Sequence, residues 1–147
     1  MENQDFVHRT EVRVRFGDTD PYGIVYFVSY FRYCHRAIEE YLRALGLKPE
    51  ETFRNVPEGF GLPIVEAQCR FLRPARYGDL LIVATRIQEL RPRAIIFGFE
   101  FFPASGEELL ARGTANLVAI NRQWQAIELP DRIRQSLTQA SPASGHP

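Results

Sequence analysis

What is missing from this sequence narrows its chemistry before any motif is weighed. Lysine is nearly absent: Lys48 stands alone among 18 basic residues, and 18 acids balance them to a formal net charge of zero. A nucleic-acid partner needs a basic surface, so none is expected. Arginine still leaves room for one local anion site, because the guanidinium meets phosphate as a planar fork. No apolar run approaches the roughly 18 residues that span a bilayer. Residues Met1 to Thr10 carry no apolar core, so neither a signal peptide nor a membrane partner is expected, and the expected compartment is the cytoplasm. The two cysteines, Cys34 and Cys69, lack metal-ligand spacing and fall in apolar segments. They read as buried free thiols of a reducing compartment. The three histidines, His8, His35 and His146, are scattered, so no metal site is expected.

Motifs are missing too. There is no G-x-S-x-G for a nucleophile elbow, and no Gly-rich loop to cradle phosphates. "DTDPYG" begins like a calcium loop, but Tyr22 replaces the third acid and Ser29 stands where the bidentate glutamate belongs. Cys34 and His35 are adjacent on a predicted helix, where neighbours do not face each other, so they form no dyad within one chain.

What is present is one domain's worth of patterned sequence. Residues 1–140 read as a single domain, and 141–147, "SPASGHP", as a disordered tail. "TEVRVRF" alternates, with Val12, Val14 and Phe16 on one face, and predicts a half-buried strand. From Phe27 the period changes. Phe31, Cys34, Ile38, Tyr41, Leu42 and Leu45 form an amphipathic stripe, with Gly46 placed to end the helix. About 18 residues at ~1.5 Å each would run ~27 Å. Residues 48–60 read as a loop. Strands are predicted at 62–72, 79–90, 93–102 and 108–121, and a short helix at 130–139. Short links between consecutive strands predict antiparallel pairing, hence an α+β domain of one helix on one sheet. "IIFGFEFF" is apolar on both faces, more than one helix can cover, which predicts a partner subunit.

The turn before the long helix holds the candidate chemistry. Read alone, Asp18 and Asp20 are turn formers that also complement a positive helix terminus. The alternative uses the helix start itself. Amides near residues 26–28 have no partners within the helix and can stabilise an oxyanion. A carboxylate just upstream can attack a carbonyl held there or activate water against it. One acid and one amide suffice for a thioester and are poor equipment for an amide.

The residues also carry a resemblance. "VRFGDTDPYGIVYFVSYFRYCH" and "GLPIVEAQCRFLRPARYGDLLIV" resemble the 4-hydroxybenzoyl-CoA thioesterase branch of the hotdog-fold superfamily, and within it the 1,4-dihydroxy-2-naphthoyl-CoA thioesterases. The likeness runs from Arg9 to about Leu129. It implies a hotdog fold: a five-stranded antiparallel sheet wrapped around one long central helix. It implies hydrolysis of an aromatic acyl-CoA, with coenzyme A part of the substrate and no further cofactor. It also implies a homodimer or homotetramer with sites shared between subunits.

By the same resemblance the catalytic acid falls on Asp20, the oxyanion amide on Phe27 and the turn glycine on Gly23, where close backbone approach is expected. Asp18 keeps the turn-shaping role. His35 matches the position that meets the substrate's phenol in hydroxybenzoyl-CoA enzymes; its other reading is a core histidine satisfied by a neighbour. Tyr26, Tyr30, Phe31 and Pro63 join it as substrate-binding candidates, with Phe27, Phe31 and His35 expected along one groove. Arg73, Arg91 and Arg93 are candidates for the coenzyme A phosphates, against the plainer reading of solvated surface residues. Many bacterial members of the branch carry Tyr-His where this chain has Tyr26-Phe27, which counts against a short-chain substrate. Two other readings remain open: a thioesterase for aliphatic or carrier-protein-bound acyl groups, and a non-catalytic acyl-CoA-binding protein on the same scaffold.

Overall fold

The computed structural model describes residues 6–140; the predicted tail at 141–147, with His146, lies outside them. In chain order come β1 (His8–Arg13), a single 3-10 turn (Phe16–Asp18), α1 (Phe27–Ala44), α2 (Pro49–Thr52), β2 (Arg54–Asn55) and β3 (Phe60–Gly61). Then follow β4 (Ile64–Phe71), β5 (Leu80–Leu90), β6 (Ala94–Pro103), β7 (Ala111–Val118) and α3 (Asp131–Thr138). The segment predicted as a loop thus holds a four-residue helix and a two-stranded hairpin of β2 and β3.

The first strand is shorter than predicted. Val12 and Val14 are buried, but the chain leaves the sheet after Arg13 and enters the 3-10 turn at Phe16. Phe16 is therefore not a core residue: it is 79% exposed and meets only the edge of Tyr77. The alternation that placed it inside ended with the strand.

Helix α1 has the predicted length of 18 residues. Its buried stripe runs through Tyr30, Tyr33, Cys34, Ala37, Ile38, Tyr41 and Leu42, so it is turned toward the tyrosines relative to the predicted one. Phe31 and Leu45 lie half-buried on its shoulders. Gly46, at φ 80°, takes the left-handed position past the helix end, and the Leu47 N–H returns to the Leu42 carbonyl at 2.9 Å.

The five long strands form one antiparallel sheet in the order β1-β5-β6-β7-β4, and α1 packs against β5 and both edge strands, β1 and β4. The core lies between them, with Ile95, Phe97, Phe99 and Phe101 of β6 pointing at the helix. Ile96, on the outer face of β6, is only 9% exposed, so the surplus apolar surface is not there. It is on edge strand β4, which is exposed along nearly its whole length, with Val65 at 59% and Phe71 at 45%.

Consecutive strands β5, β6 and β7 pair as predicted, but β4 and β5 do not; β4 pairs with β7. Residues 72–79 therefore cross the end of the sheet. On the way they run past the start of α1, where the Val25 N–H donates to the Ala75 carbonyl at 2.8 Å. That crossover sets the walls of the site described next.

Candidate active site

The turn "DTDPYG" folds into a tight hairpin because its residues suit one. The Asp20 N–H donates to the Ile24 carbonyl at 2.9 Å, and the Gly23 N–H closes the turn on the Asp20 carbonyl at 2.8 Å. Gly23 sits at φ 85°, where a side chain is strained. A Cβ there would meet nothing of this chain within 4 Å, so within the chain the glycine serves the turn's conformation.

The two aspartates have different surroundings. Asp18 has more partners, on one carboxylate oxygen and on its carbonyl. Its Oδ2 accepts from the Tyr33 hydroxyl at 2.9 Å and the Arg15 N–H at 3.0 Å. Its carbonyl accepts from the Tyr26 N–H at 2.8 Å and the Ser29 hydroxyl at 2.9 Å. Burial, and then the hydrogen bond to this carboxylate, push the Tyr33 hydroxyl well above the usual tyrosine range. Asp20 keeps one oxygen open: Oδ1 accepts from the Tyr22 N–H at 2.9 Å, and among the described residues Oδ2 has no protein donor.

Asp20 lines a cavity of about 420 Å³ together with Phe27, Tyr30, Phe71, Arg73 and Pro74. The last three belong to the end of β4 and the crossover. Phe27 is the first residue of α1, 54% exposed, with its edge turned to Tyr26. Its N–H has no backbone acceptor outside the helix among the described residues, and first-turn amides have none inside it. The arrangement offers an open carboxylate oxygen and an open amide on one cavity. Tyr30 forms the floor: it is 3% exposed, packs on Phe71 and Phe101, and its hydroxyl is pushed up to about 12 by burial and then by Cys69. It is foremost a core residue.

The structure does not put Phe27, Phe31 and His35 in one groove. Phe31 and His35 line a second cavity of about 460 Å³ between α1 and β4, with Ile64 and Ala67 opposite. The helix turns Phe27 toward the crossover and Phe31 toward the β4 edge. His35 is not a core histidine: it is about half exposed, its Nδ1 lies 3.1 Å from Glu39, and its ring stacks on Phe53 with centroids 5.1 Å apart. Pro63 lines a third cavity, beside the β2–β3 hairpin.

Of the three arginines, Arg73 alone belongs to the Asp20 cavity, with its Nε 3.5 Å from Glu108. Arg91 and Arg93 lie at the β5–β6 turn, at the opposite end of the sheet from Asp20. Arg91 is paired twice with Glu89, at 2.8 and 3.1 Å. Sequence reasoning missed Leu72 and Pro74 as cavity walls, since only the strand crossover brings them there, and also Ile24 and Val25 of the turn itself.

Neither thiol is poised as a nucleophile. Burial raises Cys34 far above its ordinary value and Cys69 to about 11. Among the described residues no three metal-ligating side chains cluster, and no helix is long and apolar enough to cross a membrane.

Comparison with known proteins identifies the family. A family model described as the thioesterase-like superfamily matches residues 14–137. A 1,4-dihydroxy-2-naphthoyl-CoA hydrolase of Prochlorococcus marinus (strain MIT 9313) is 37% identical over 126 residues, covering 82% of each chain. The crystal structure of a 1,4-dihydroxy-2-naphthoyl-CoA thioesterase from Synechocystis superposes with a TM-score of 0.81 at 29% identity, covering 90% of this chain and 96% of that one. A gentisyl-coenzyme A thioesterase structure gives a TM-score of 0.75 at 30% identity, covering 86% and 99%.

Proposed function

The chain belongs to the thioesterase-like superfamily, is a hotdog-fold thioester hydrolase like its relatives, and from that premise we propose that it cleaves an aromatic acyl-CoA of the hydroxybenzoyl or dihydroxynaphthoyl type. The observation that carries the mechanism is the pairing of an open Asp20 oxygen with the open Phe27 amide on one cavity. The thioester carbonyl accepts from the Phe27 N–H, so the charge that develops on its oxygen meets a fixed donor. Asp20 then attacks the carbonyl carbon, expelling the coenzyme A thiolate and leaving a mixed anhydride for water to open. In the alternative step, Asp20 takes a proton from water as that water attacks. A thiolate is a good leaving group, so the reaction calls on no metal or redox cofactor.

The acting unit is a homodimer or higher homo-oligomer in the cytoplasm, paired through β4. An exposed apolar edge strand offers its free ladder groups to a second copy. Two-fold antiparallel pairing sets the Ile64 end of one β4 against the Phe71 end of the other. That brings the cavity of Phe31 and His35 in one copy beside the Asp20 cavity of the other. The groove that one chain splits in two is completed across the pair, and His35 of the partner subunit reaches the aryl hydroxyl.

A panel of acyl-CoA thioesters with a thiol readout tests this. Hydroxyaryl-CoA is expected to exceed acetyl- and butyryl-CoA in kcat/KM. His35→Ala is expected to reduce the preference for a hydroxylated ring over its unhydroxylated analogue, because a site built to bond a hydroxyl rejects its absence. Equal losses on both rings would make His35 a packing residue, and a better rate on acetyl-CoA than on any aryl thioester would replace the substrate class.

A further inference from the structure

Tyr30 and Tyr33 stand three residues apart on α1, both 3% exposed, with ring centroids 6.2 Å apart. Their hydroxyls fare differently. That of Tyr33 is spent on Asp18, at 2.9 Å. That of Tyr30 has no hydrogen-bond partner among the described residues. Yet the Tyr30 ring is clamped, with the centroids of Phe71 and Phe101 at 5.0 and 5.2 Å.

A phenol sealed in a core without a partner is costly. The Tyr30 hydroxyl is not among the sealed, unpartnered polar atoms of the described residues, and the residue lines the Asp20 cavity. The protein offers it little to bond there. Ile24, Phe71, Leu72 and Pro74 are apolar walls, and Arg73 is drawn to Glu108 at 3.5 Å.

Helix geometry sets where that hydroxyl acts. Residues three apart are neighbours on a helix, and side chains lean toward its N-terminal end. The Tyr30 side chain therefore leans over the turn that begins with Phe27, whose N–H is open. Burial and then Cys69 keep the phenol protonated up to about 12, so it is a neutral donor at any working pH. A fixed, unspent donor on the floor of this cavity meets an acyl group close to its carbonyl. On an aryl thioester that place belongs to the ortho position, since the rest of the ring points away from the reacting carbon. An ortho phenol donates to its own carbonyl oxygen, which leaves its lone pairs free to accept from a third group.

We propose that Tyr30 is a specificity-determining residue, whose hydroxyl donates to an oxygen ortho to the thioester carbonyl, and that the preferred substrates are 2-hydroxyaryl thioesters. The assignment rests on the aryl-CoA reading of the Asp20 cavity and narrows it. Two points then read the ring. Tyr30 meets the oxygen beside the thioester, within the chain that holds Asp20, and His35 of the partner subunit meets one on the far side. A ring without the ortho oxygen leaves the Tyr30 donor unpaired, which is how a site built for a hydroxyl rejects the analogue lacking it.

Tyr30→Phe removes one oxygen and no bond within the protein, so a near-native urea midpoint is expected. The test compares kcat/KM for 2-hydroxybenzoyl-, 4-hydroxybenzoyl- and benzoyl-CoA. Tyr30→Phe is expected to lower the ratio of 2-hydroxybenzoyl- to benzoyl-CoA about tenfold. The ratio of 4-hydroxybenzoyl- to benzoyl-CoA is expected to stay where it is. If neither ratio moves, the proposal is overturned. It is equally overturned by one common loss on all the rings, which would give the hydroxyl to the reacting carbonyl. Binding needs no turnover and separates this failure from that of the hydrolase reading. 2-Hydroxyphenacyl-CoA and phenacyl-CoA, thioethers that cannot be hydrolysed, are titrated into the wild-type protein by calorimetry. The 2-hydroxy compound is expected to bind about tenfold more tightly, and Tyr30→Phe to erase the difference. Equal affinities in the wild type overturn the proposal whatever the variant does. The tenfold difference in a protein that hydrolyses no thioester would support Tyr30 and overturn the hydrolase reading alone.

Discussion

Asp18 and Asp20 stand two residues apart in one turn, yet they face opposite ways in chemistry. Asp18 gathers four hydrogen bonds, from Tyr33, Arg15, Tyr26 and Ser29, and so ties the turn to the first coils of α1. Asp20 is fixed by its backbone and by one carboxylate oxygen, has no protein donor on the other among the described residues, and lines a cavity. A carboxylate oxygen tied both to a helix tyrosine and to a backbone amide serves as a strut. Asp20 accepts at its carboxylate from a single backbone amide and stands at a cavity. On the proposed mechanism the pair divides the labour: one acid builds the platform on which the other works.

The comparison breaks most visibly at Asp20. Asp20→Asn keeps the shape and the turn, and is expected to lower kcat by about 10²–10⁴-fold, measured by thiol release from an aryl-CoA. Next comes the shared site. Val65→Asp puts a charge on the exposed β4 edge, and light scattering is expected to show monomers of 16.9 kDa with most activity lost. A fully active monomer would remove the cross-subunit groove. Asp18→Ala strands the Tyr33 hydroxyl in its buried setting and is expected to lower unfolding free energy by about 1–3 kcal/mol, read from the urea midpoint.

The smallest effect is on pH dependence. Tyr33 and Tyr30 are raised above the ordinary value of 10 in the folded chain, both chiefly by burial. The unfolded chain then releases these protons first. Stability from them is whole below pH 10 and falls as pH climbs toward about 12, where Tyr30 ionises in the folded state. Tyr33→Phe is expected to flatten that alkaline decline in the urea midpoint. An unaltered slope would mean that the hydroxyl held by Asp18 is not a buried one.

Periodicity made much of this legible. The 18-residue helix and the four long strands follow from apolar spacing, and Gly46 from helix-end chemistry. What periodicity cannot carry is partner choice. Nothing in "RPARYG" says that β6 and β7 lie between β4 and β5 in the sheet, so the crossover and its cavity walls were invisible. Phe16 kept the strand's alternation after the strand had ended. Helix α2 and strands β2 and β3 are too short to show a period. Asp18 and Asp20 could be separated only by resemblance, because their difference lies in donors from Tyr33 and Ser29, a helix away.

The central claim is the division between the two aspartates, and one paired measurement tests it most directly. Asp18→Asn and Asp20→Asn, prepared together, are assayed for turnover of one aryl-CoA at a matched folded fraction, with urea midpoints from the same samples. The account predicts that Asp20→Asn is far slower at a near-native midpoint, while Asp18→Asn has the lower midpoint and keeps most of its turnover. The reverse order in rate would contradict it and move the reacting acid to Asp18.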